Sequence, residues 1–212
     1  MKKIVIILGH PDPKSFCAGL ATTYAKAAVA QGHSLRWLKL GEMKFDPILR
    51  HGYRQIQPLE PDLVQAQETL LWADHYVFAY PIWWGSMPAL LKGFFDRVFL
   101  PGFAFAYRPE SVFWDKLLAG RSAQLLVTLD TPAWYFRWVY RMPGHHQMKR
   151  TILDSFGKTL LVKTIFFFGT QTHYVLQAKA QPLRLLDTAQ NLNRLRTVNT
   201  VLPLAHRRVY DA

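Results

Sequence analysis

Two adjacent tryptophans, Trp83 and Trp84, stand on a short loop within the stretch YPIWWGSMPALLKGFFDRVF of residues 80–99. Proline and glycine bound this tryptophan loop (residues 81–87), an apolar strand pattern precedes it, and a helical pattern follows it. Exposed indoles favour self-association unless a flat ligand or a partner covers them, and loop amides can bond the polar edge of a heterocycle. The loop is therefore a candidate site for a planar ring system, the alternative being that one or both indoles lie buried under the following helix.

A second loop, GHPDPKSFC at residues 9–17, carries groups that bind anions. His10, Lys14 and Ser15 stand where a strand pattern passes into a helix pattern, and the amides and dipole at the start of a helix attract phosphate. The loop has neither the G-x-G-x-x-G nor the G-x-x-x-x-G-K-S/T pattern, so it predicts a phosphate site outside the Rossmann and P-loop classes. The alternative is that Ser15 only caps the helix and His10 is a solvated loop residue.

A third stretch, the aromatic segment (residues 131–144), is dense in aromatic side chains and ends in Pro-Gly. At helical spacing, Trp134 and Trp138 share one face, while Arg137 and Arg141 share another. Three interpretations compete: a lid over a bound ligand, a dimer contact, or a short amphipathic surface that touches lipid. The segment is too short and too charged to span a membrane.

Strands that alternate with helices must position these loops. Apolar runs predict five strands, at Lys3–Leu8, Ser34–Leu40, His75–Tyr80, Ser122–Leu129 and Thr164–Phe168. Such alternation predicts a parallel sheet, and the nearly continuous apolar character of the runs indicates helices on both faces. The predicted fold class is α/β, with a doubly wound five-stranded parallel sheet. Ligands bind such sheets at the carboxyl ends of the strands, so we expect the three loops to meet at one edge.

The intervening helices are predicted at Ser15–Gln31, Pro61–Ala73, Pro88–Phe99, His145–Phe156 and Gln181–Asn199. Residues 41–60 and 100–121 lack periodicity and are interpreted as excursions from the sheet. With half of its residues hydrophobic, the chain of 212 residues is long enough for one well-buried domain, and we expect a single domain over residues 1–212.

Charge and cysteine content narrow the function further. The net charge is +12, and residues 131–212 hold 12 basic but only 3 acidic groups. This imbalance favours phosphorylated cofactors, polyanions or an anionic membrane surface. The basic residues are scattered and no zinc finger or RNP-type strand occurs, so we expect no nucleic-acid binding. The single cysteine, Cys17, excludes an intrachain disulfide and favours a reducing cytoplasm.

Two catalytic classes are disfavoured by missing patterns. No H-E-x-x-H or comparable ligand spacing occurs, so no metal site is expected. Ser86 lacks the G-x-S-x-G elbow of serine hydrolases.

The opening apolar stretch is too short for a signal peptide or a membrane span.

The stretch of residues 80–99, followed by GFAF, resembles the flavodoxin-like NAD(P)H:quinone oxidoreductases, in which a strand ends in Pro, one or two tryptophans, and then Pro-Ala and Leu-Lys-Gly. The opening strand with GHP and KSF resembles the phosphate loop of the same family. The resemblance spans roughly residues 1–170. It implies a flavodoxin-like fold and a flavin-containing homodimer that reduces quinones by two electrons, with NAD(P)H as donor. We expect FMN as the cofactor, with FAD as the alternative.

The resemblance also assigns roles to individual residues. It places His10, Ser15 and Phe16 at the flavin phosphate, with Cys17 where the family usually has asparagine. It places Pro81, Ile82, Trp83, Trp84 and Gly85 at the isoalloxazine ring. After the fourth strand, Thr128 matches a threonine of the family, whereas Asp130 and Thr131 replace two glycines. Cys17 and Thr128 complete the predicted cofactor-binding set.

The implied reaction is ping-pong hydride transfer, in which NAD(P)H and a quinone occupy the same face of the flavin in turn. It requires hydrogen-bond donors near the acceptor oxygen, and Tyr135, Tyr140 and His145 are the predicted catalytic residues. His145 and its neighbour His146 have an alternative role as solvent-exposed residues at a helix start.

Other functions remain open within the same family pattern. Azo and nitro compounds are also flat hydride acceptors. The pattern equally resembles the regulatory flavoprotein subunits that dock on potassium-efflux systems, which predicts peripheral contact with a membrane or a membrane protein. True flavodoxins, which carry single electrons, resemble this chain less, because they are acidic and have a Ser/Thr-rich phosphate loop.

Overall fold

The structure, a computed structural model, describes residues 1–154 together with the strands of residues 162–168 and 200–202. Among these residues, no helix has the length and apolar content needed to cross a lipid bilayer. The predicted helix Gln181–Asn199 and the last two residues of the predicted helix His145–Phe156 lie outside the described residues.

A parallel sheet of six strands organises the described chain, in the spatial order β2-β1-β3-β6-β7-β8. The strands are β1 Lys3–Leu8, β2 Ser34–Lys39, β3 His75–Pro81, β6 Ser122–Leu129, β7 Val162–Phe168 and β8 Thr200–Leu202, while β4 Phe105–Tyr107 and β5 Trp114–Lys116 pair separately as an antiparallel hairpin. The flavodoxin-like, doubly wound order is confirmed. The structure adds β8 to the five predicted strands, because a run of three residues is too short to be recognised in the sequence.

Side chains of the central strands alternate between two apolar layers. Val5 and Phe78 pack on the face covered by helices α2 and α3, whereas Ile6 and Val77 pack on the face covered by helix α1. The three helices are α1 Phe16–Ala30, α2 Pro61–Trp72 and α3 Ala89–Val98, each within one residue of its predicted bounds. Helices on both faces are therefore confirmed, and they account for the continuous apolar runs.

The predicted helix at His145 begins two residues earlier. Helix α4 spans Pro143–His146 and continues as a π-helix over Gln147–Leu153. Proline is favoured in the first turn of a helix, because its missing amide proton has no intrahelical acceptor there. The aromatic segment forms a separate π-helical turn over Tyr135–Val139, which is wider than the α-helix expected from the spacing of its tryptophans.

The excursion of residues 41–60 has no helix or strand, yet it is fixed to α3 by one buried side chain. Arg97 is 1% exposed, and its guanidinium donates to Asp46 O, to Pro58 O (2.9 Å) and to the Glu60 carboxylate (2.7 Å). Burial acts to raise the pKa of Glu60, but hydrogen bonds from backbone amides and the pairing with Arg97 outweigh it and lower that pKa. The excursion is thus an ordered layer on the helix.

The second excursion, residues 100–121, contains the hairpin of β4 and β5. Val112 and Phe113, between the two strands, are exposed. Arg108 and Asp115 form an ion pair across the hairpin. The hairpin therefore presents apolar side chains together with charges of both signs.

Candidate functional site

The three loops singled out in the sequence meet at the carboxyl edge of the sheet. The Gly9 amide donates to Ala79 O, the Ile82 amide to Thr128 O, and the Gly144 amide to the Gly85 carbonyl, each at 2.8 Å. The first two bonds link neighbouring strands at their ends, and the third ties the aromatic segment to the tryptophan loop. The loops therefore flank the point between β1 and β3 where the winding reverses, which is where doubly wound sheets bind ligands.

In the first loop, His10 is held in one orientation. Its Nδ1 accepts a hydrogen bond from the Asp12 amide (2.9 Å), so Nε2 carries the proton when the ring is neutral. Partial burial lowers the pKa of His10, although the negative charge of the Asp12 carboxylate acts in the opposite direction. His10 also contacts Trp83 edge-to-face, with ring centroids 5.4 Å apart. The imidazole thus links the first loop, a candidate anion site, to the tryptophan loop.

The start of α1 follows directly. Ser15 caps the helix, since its hydroxyl accepts a hydrogen bond from the Ala18 amide (3.3 Å), and Phe16 is the first helical residue. Cys17 is buried, and its Sγ lies 3.2 Å from Thr128 Oγ1. Burial raises the pKa of the Cys17 thiol to about 11, so the side chain is an unreactive thiol. Cys17 and Thr128, both predicted to bind cofactor, point their side chains at each other inside the protein.

The tryptophan loop is a two-residue hairpin turn. Trp83 and Ser86 exchange two backbone hydrogen bonds, of 2.8 and 3.0 Å. Trp84 and Gly85 occupy the turn with φ of 51° and 80°, the pattern of a type I′ turn. Glycine adopts such angles freely, but tryptophan does so at a cost of about 1–2 kcal/mol. A left-handed tryptophan is therefore strained, and such strain is concentrated at functional sites.

Both indoles face outward at this turn. Trp84 is fully exposed and Trp83 is about half exposed, so neither lies buried under α3. Pro81 is buried at the end of β3 and Ile82 is half-buried behind the turn. The loop thus presents a broad aromatic surface on a rigid backbone.

The backbones of the turn and of helix α4 are in direct contact at Gly85 and Gly144. A Cβ atom on Gly144 would lie 2.6 Å from the Gly85 carbonyl oxygen, so a larger residue at this position would displace the turn. The Ser86 hydroxyl donates to the side-chain carbonyl of Gln147 (2.7 Å) and adds a polar link. The aromatic segment and the tryptophan loop therefore hold a fixed relation to each other.

The three predicted catalytic residues differ in exposure. Tyr135 is half-buried and Tyr140 is exposed, and their rings contact each other edge-to-face with centroids 4.9 Å apart. His145 is buried at the start of α4. Burial, reinforced by the positive charges of Lys149 and Arg150 and by His146, lowers the pKa of His145 to about 4. This imidazole is neutral at physiological pH, and the structure does not support the alternative of a solvent-exposed His145.

Together these groups suit a ligand that has an anion at one end and a flat ring at the other. The donors at the anion end are His10 Nε2–H, the Lys14 ammonium and the amides that open α1. The aromatic surface of the tryptophan loop begins at the ring that touches His10. In the described part of the chain, no group of His, Cys, Asp and Glu side chains could hold a metal ion.

Some residues that shape the site were missed in the sequence. Asp12 orients His10, and the short spacing of His-Pro-Asp was a signal for such a turn. Gly144 allows the close approach of two backbones, for which the Pro-Gly pair ending the aromatic segment was the only indication. Gln147 had no signal, since its partner Ser86 is 61 residues away in the chain.

Comparisons with known proteins agree with this architecture. A Haemophilus influenzae protein named as an uncharacterized NAD(P)H oxidoreductase is 33% identical over 131 residues, which cover 60% of this chain and 64% of that protein. The human ribosyldihydronicotinamide dehydrogenase (quinone) is 32% identical over 149 residues, covering 60% of this chain and 63% of that protein. The match thus spans less than two thirds of either relative's length.

A crystal structure of a Streptococcus mutans UA159 protein has a TM-score of 0.73 and 28% sequence identity, and the likeness covers 89% of this chain and 99% of that chain. The likeness therefore extends over nearly the whole of that protein, in contrast to the partial matches to the curated relatives. The family described as having a flavodoxin-like fold matches residues 2–189, and the chain belongs to that family.

Proposed function

We propose that the protein is a flavin-dependent NAD(P)H:quinone oxidoreductase. The observation that carries the proposal is the pairing, beside the β1–β3 reversal, of an anion-binding loop with a strained and exposed tryptophan turn. The names of the Haemophilus and human relatives, an NAD(P)H oxidoreductase and a quinone-type dehydrogenase, support the reaction class.

The donor set fits FMN. His10, Ser15, Phe16 and the backbone of Cys17 would hold the phosphate, because a helix start and an imidazole N–H are phosphate donors. The tryptophan loop, from Pro81 to Gly85, would hold the ring. Thr128 contributes by fixing the backbone, since its carbonyl accepts the Ile82 amide (2.8 Å). FAD is the alternative cofactor.

When bound, the flavin supplies two-electron hydride chemistry. The protein would bind NAD(P)H and the quinone in turn on one face, with Trp84 offering a flat surface for stacking. Tyr135 and Tyr140 are proposed as hydrogen-bond donors to the acceptor oxygen, where negative charge develops. His145 is neutral at pH 7 because its pKa is about 4, so it would donate through one ring N–H and not act as a cationic acid.

A homodimer is proposed to form through the hairpin of β4 and β5. Val112 and Phe113 are exposed there, and a charge of each sign stands beside them in the Arg108–Asp115 pair. A surface with both signs of charge can face a copy of itself without net repulsion. Sedimentation velocity would test this contact: Phe113→Ser should shift the dimer toward monomer, whereas Val29→Ser on α1 should not.

We further propose that the chain acts as one domain in the cytoplasm. The single cysteine, Cys17, is a buried free thiol, which suits a reducing compartment.

The proposed function is tested first by cofactor binding and then by turnover. Purified protein incubated with excess FMN should retain yellow flavin through gel filtration, and chromatography of the released flavin identifies it. The complex should then oxidise NADH or NADPH rapidly with a benzoquinone. Turnover with an azo dye alone would favour an azoreductase, and tight flavin without turnover would favour a regulatory subunit. A protein that retains neither FMN nor FAD would refute the proposal.

A matched histidine pair tests the phosphate assignment. His10→Phe keeps a ring but removes the N–H donor to the phosphate, so FMN affinity should fall by about 10- to 100-fold, as for a hydrogen bond to a charged group. His33→Phe is the control, because His33 Nδ1 also accepts a backbone amide, that of Lys2 (3.2 Å), but at the amino edge of the sheet. Equal affinity of the two variants would contradict the assignment.

A further inference from the structure

The aromatic segment presents large apolar side chains outward from an ordered backbone. Trp134 and Trp138 are 62% and 73% exposed, while Phe136 between them is buried in the core. The Phe136 carbonyl accepts the Met142 amide (3.0 Å), and the Tyr135 carbonyl accepts the Tyr140 amide (3.0 Å). The two indoles are thus held at the surface by an anchored turn.

Basic side chains lie among these aromatics, and the segment itself contains no acidic residue, although Asp130 directly precedes it. Arg137 and Arg141 are both exposed, and the Arg137 guanidinium lies over the Trp138 ring, 5.6 Å from its centroid. From Thr131 to Leu153 the chain contains no aspartate or glutamate. The surface of residues 131–144 therefore combines indoles with arginines and contributes no acidic side chain of its own.

We propose that the aromatic segment docks on an anionic phospholipid surface, with its indoles in the headgroup region and its arginines against lipid phosphates. Tryptophan and tyrosine concentrate at the water–lipid boundary, where one part of the ring is apolar and another is wet. Arginine adds attraction to anionic headgroups. The exposed Trp84 lies beside this surface, because the next residue, Gly85, bonds Gly144 at the end of the segment.

The positive charge of the aromatic segment favours an anionic lipid surface as its partner over a second copy of this chain. A two-fold symmetric contact centred on the segment would bring its arginines against the same arginines of the partner, with no carboxylate from the segment between them. The hairpin of β4 and β5 carries both signs of charge and is the better surface for self-association. An anionic bilayer supplies the negative charge that the segment's own sequence lacks.

Vesicle sedimentation tests the proposal independently of flavin binding and turnover. The wild-type protein should pellet with vesicles of phosphatidylcholine containing about 30% phosphatidylglycerol, and should be released when NaCl is raised to about 1 M. It should remain in solution with pure phosphatidylcholine. Binding of equal strength to both vesicles, or binding insensitive to salt, would contradict the role of the arginines.

Two variants identify the surface. The double variant Arg137→Gln/Arg141→Gln should reduce partition onto anionic vesicles by about 30-fold, at roughly fivefold for each arginine. The double variant Trp134→Ser/Trp138→Ser should reduce it by about tenfold or more, through loss of buried aromatic area. Circular dichroism and a urea unfolding curve establish that each variant is folded.

Matched controls carry the same changes elsewhere. Lys26→Gln/Arg54→Gln removes two exposed positive charges, and Val29→Ser/Leu71→Ser removes two exposed apolar side chains, from other parts of the surface. Val29→Ser/Leu71→Ser should partition onto anionic vesicles within about twofold of wild type. Lys26→Gln/Arg54→Gln should reduce this partition far less than Arg137→Gln/Arg141→Gln does. Equal losses in variants and controls would show adsorption by net charge and overturn the proposal. A second combination of results would also overturn the proposal: wild-type protein does not bind anionic vesicles, and Trp134→Ser/Trp138→Ser dissociates the dimer. The segment would then be a contact between copies of this chain.

Discussion

Replacement of Trp84 by asparagine should make the protein more stable and its ligand binding weaker. Trp84 is fully exposed, so its removal sacrifices no buried area, and its φ of 51° lies in the left-handed region. Asparagine enters that region more readily than any aromatic residue, because its short polar side chain bonds nearby backbone groups. The variant Trp84→Asn therefore relieves strain without loss of packing.

The magnitude follows from the backbone. A left-handed residue other than glycine costs about 1–2 kcal/mol, and asparagine recovers part of this, so we expect a gain of about 1 kcal/mol in the free energy of unfolding. For a chain of about 200 residues this corresponds to a rise in Tm of roughly 2–4 °C. The lost indole should weaken binding of a stacked ring by about two- to tenfold, the range for an aromatic pair.

Urea denaturation of flavin-free protein measures the first effect, since bound ligand would otherwise add its own stabilisation. Titration with FMN, and then with a quinone on the loaded protein, measures the second. Trp138→Asn is the control, because this indole is also exposed but its φ is not positive, and no gain in stability is expected. A Trp84→Asn variant that is less stable than wild type would refute the exposed and strained geometry, and unchanged affinity for both ligands would refute the stacking role.

Three further predictions concern groups around the site. Arg97→Met should lower the free energy of unfolding in urea by about 2–4 kcal/mol, because it leaves the carbonyls of Asp46 and Pro58 without their donor and removes the ion pair with Glu60, whereas Arg108→Met at an exposed ion pair should cost at most about 1 kcal/mol. Because the pKa of His145 is lowered to about 4 in the fold, the unfolded chain binds more protons than the folded chain between pH 6.5 and 4, and the free energy of unfolding should fall as the pH is lowered through that window. His145→Gln should flatten this part of the plot of unfolding free energy against pH. An unchanged plot would contradict the burial of His145. Gly144→Ala should cost about 1–3 kcal/mol, since its Cβ would sit 2.6 Å from a backbone oxygen, while Gly19→Ala on α1, where nothing lies within 4 Å, should gain about 0.5–1 kcal/mol in the same assay.

Hydrophobic patterning in the sequence predicted the strands that position the site and the edge of the sheet at which the three loops meet. Strands β1, β3 and β6 are buried on both faces, so their apolar runs are long and nearly continuous. Parallel strands bring their carboxyl ends to one edge, so the meeting of the three loops followed from topology without knowledge of any contact. Ser15 as the cap of α1 was likewise visible, because capping depends on neighbours in sequence.

Features that depend on distant partners or on local backbone strain could not be predicted. Arg97 stands on a helix rich in apolar residues, and its burial depends on carbonyls that are 39 and 51 residues away. The exposure of Trp84 results from a turn whose positive φ is unusual for tryptophan. The average burial of tryptophan in proteins therefore left a buried Trp84 equally plausible from the sequence. The π-helical turns arise from a widening that residue spacing does not encode.

Helix α3 is only ten residues long, and it has an attachment at each end. Its first residue follows the tryptophan loop after Pro88, and near its last residue Arg97 grips the irregular layer of residues 41–60. Gly93 in its middle lies so close to Pro47 that an added Cβ would be 2.5 Å from that proline's carbonyl oxygen. The layer thus packs directly against the backbone of the helix that follows the tryptophan loop. We expect a mutation or a protease cut in residues 46–58 to disturb this packing and, through the helix, the position of the loop.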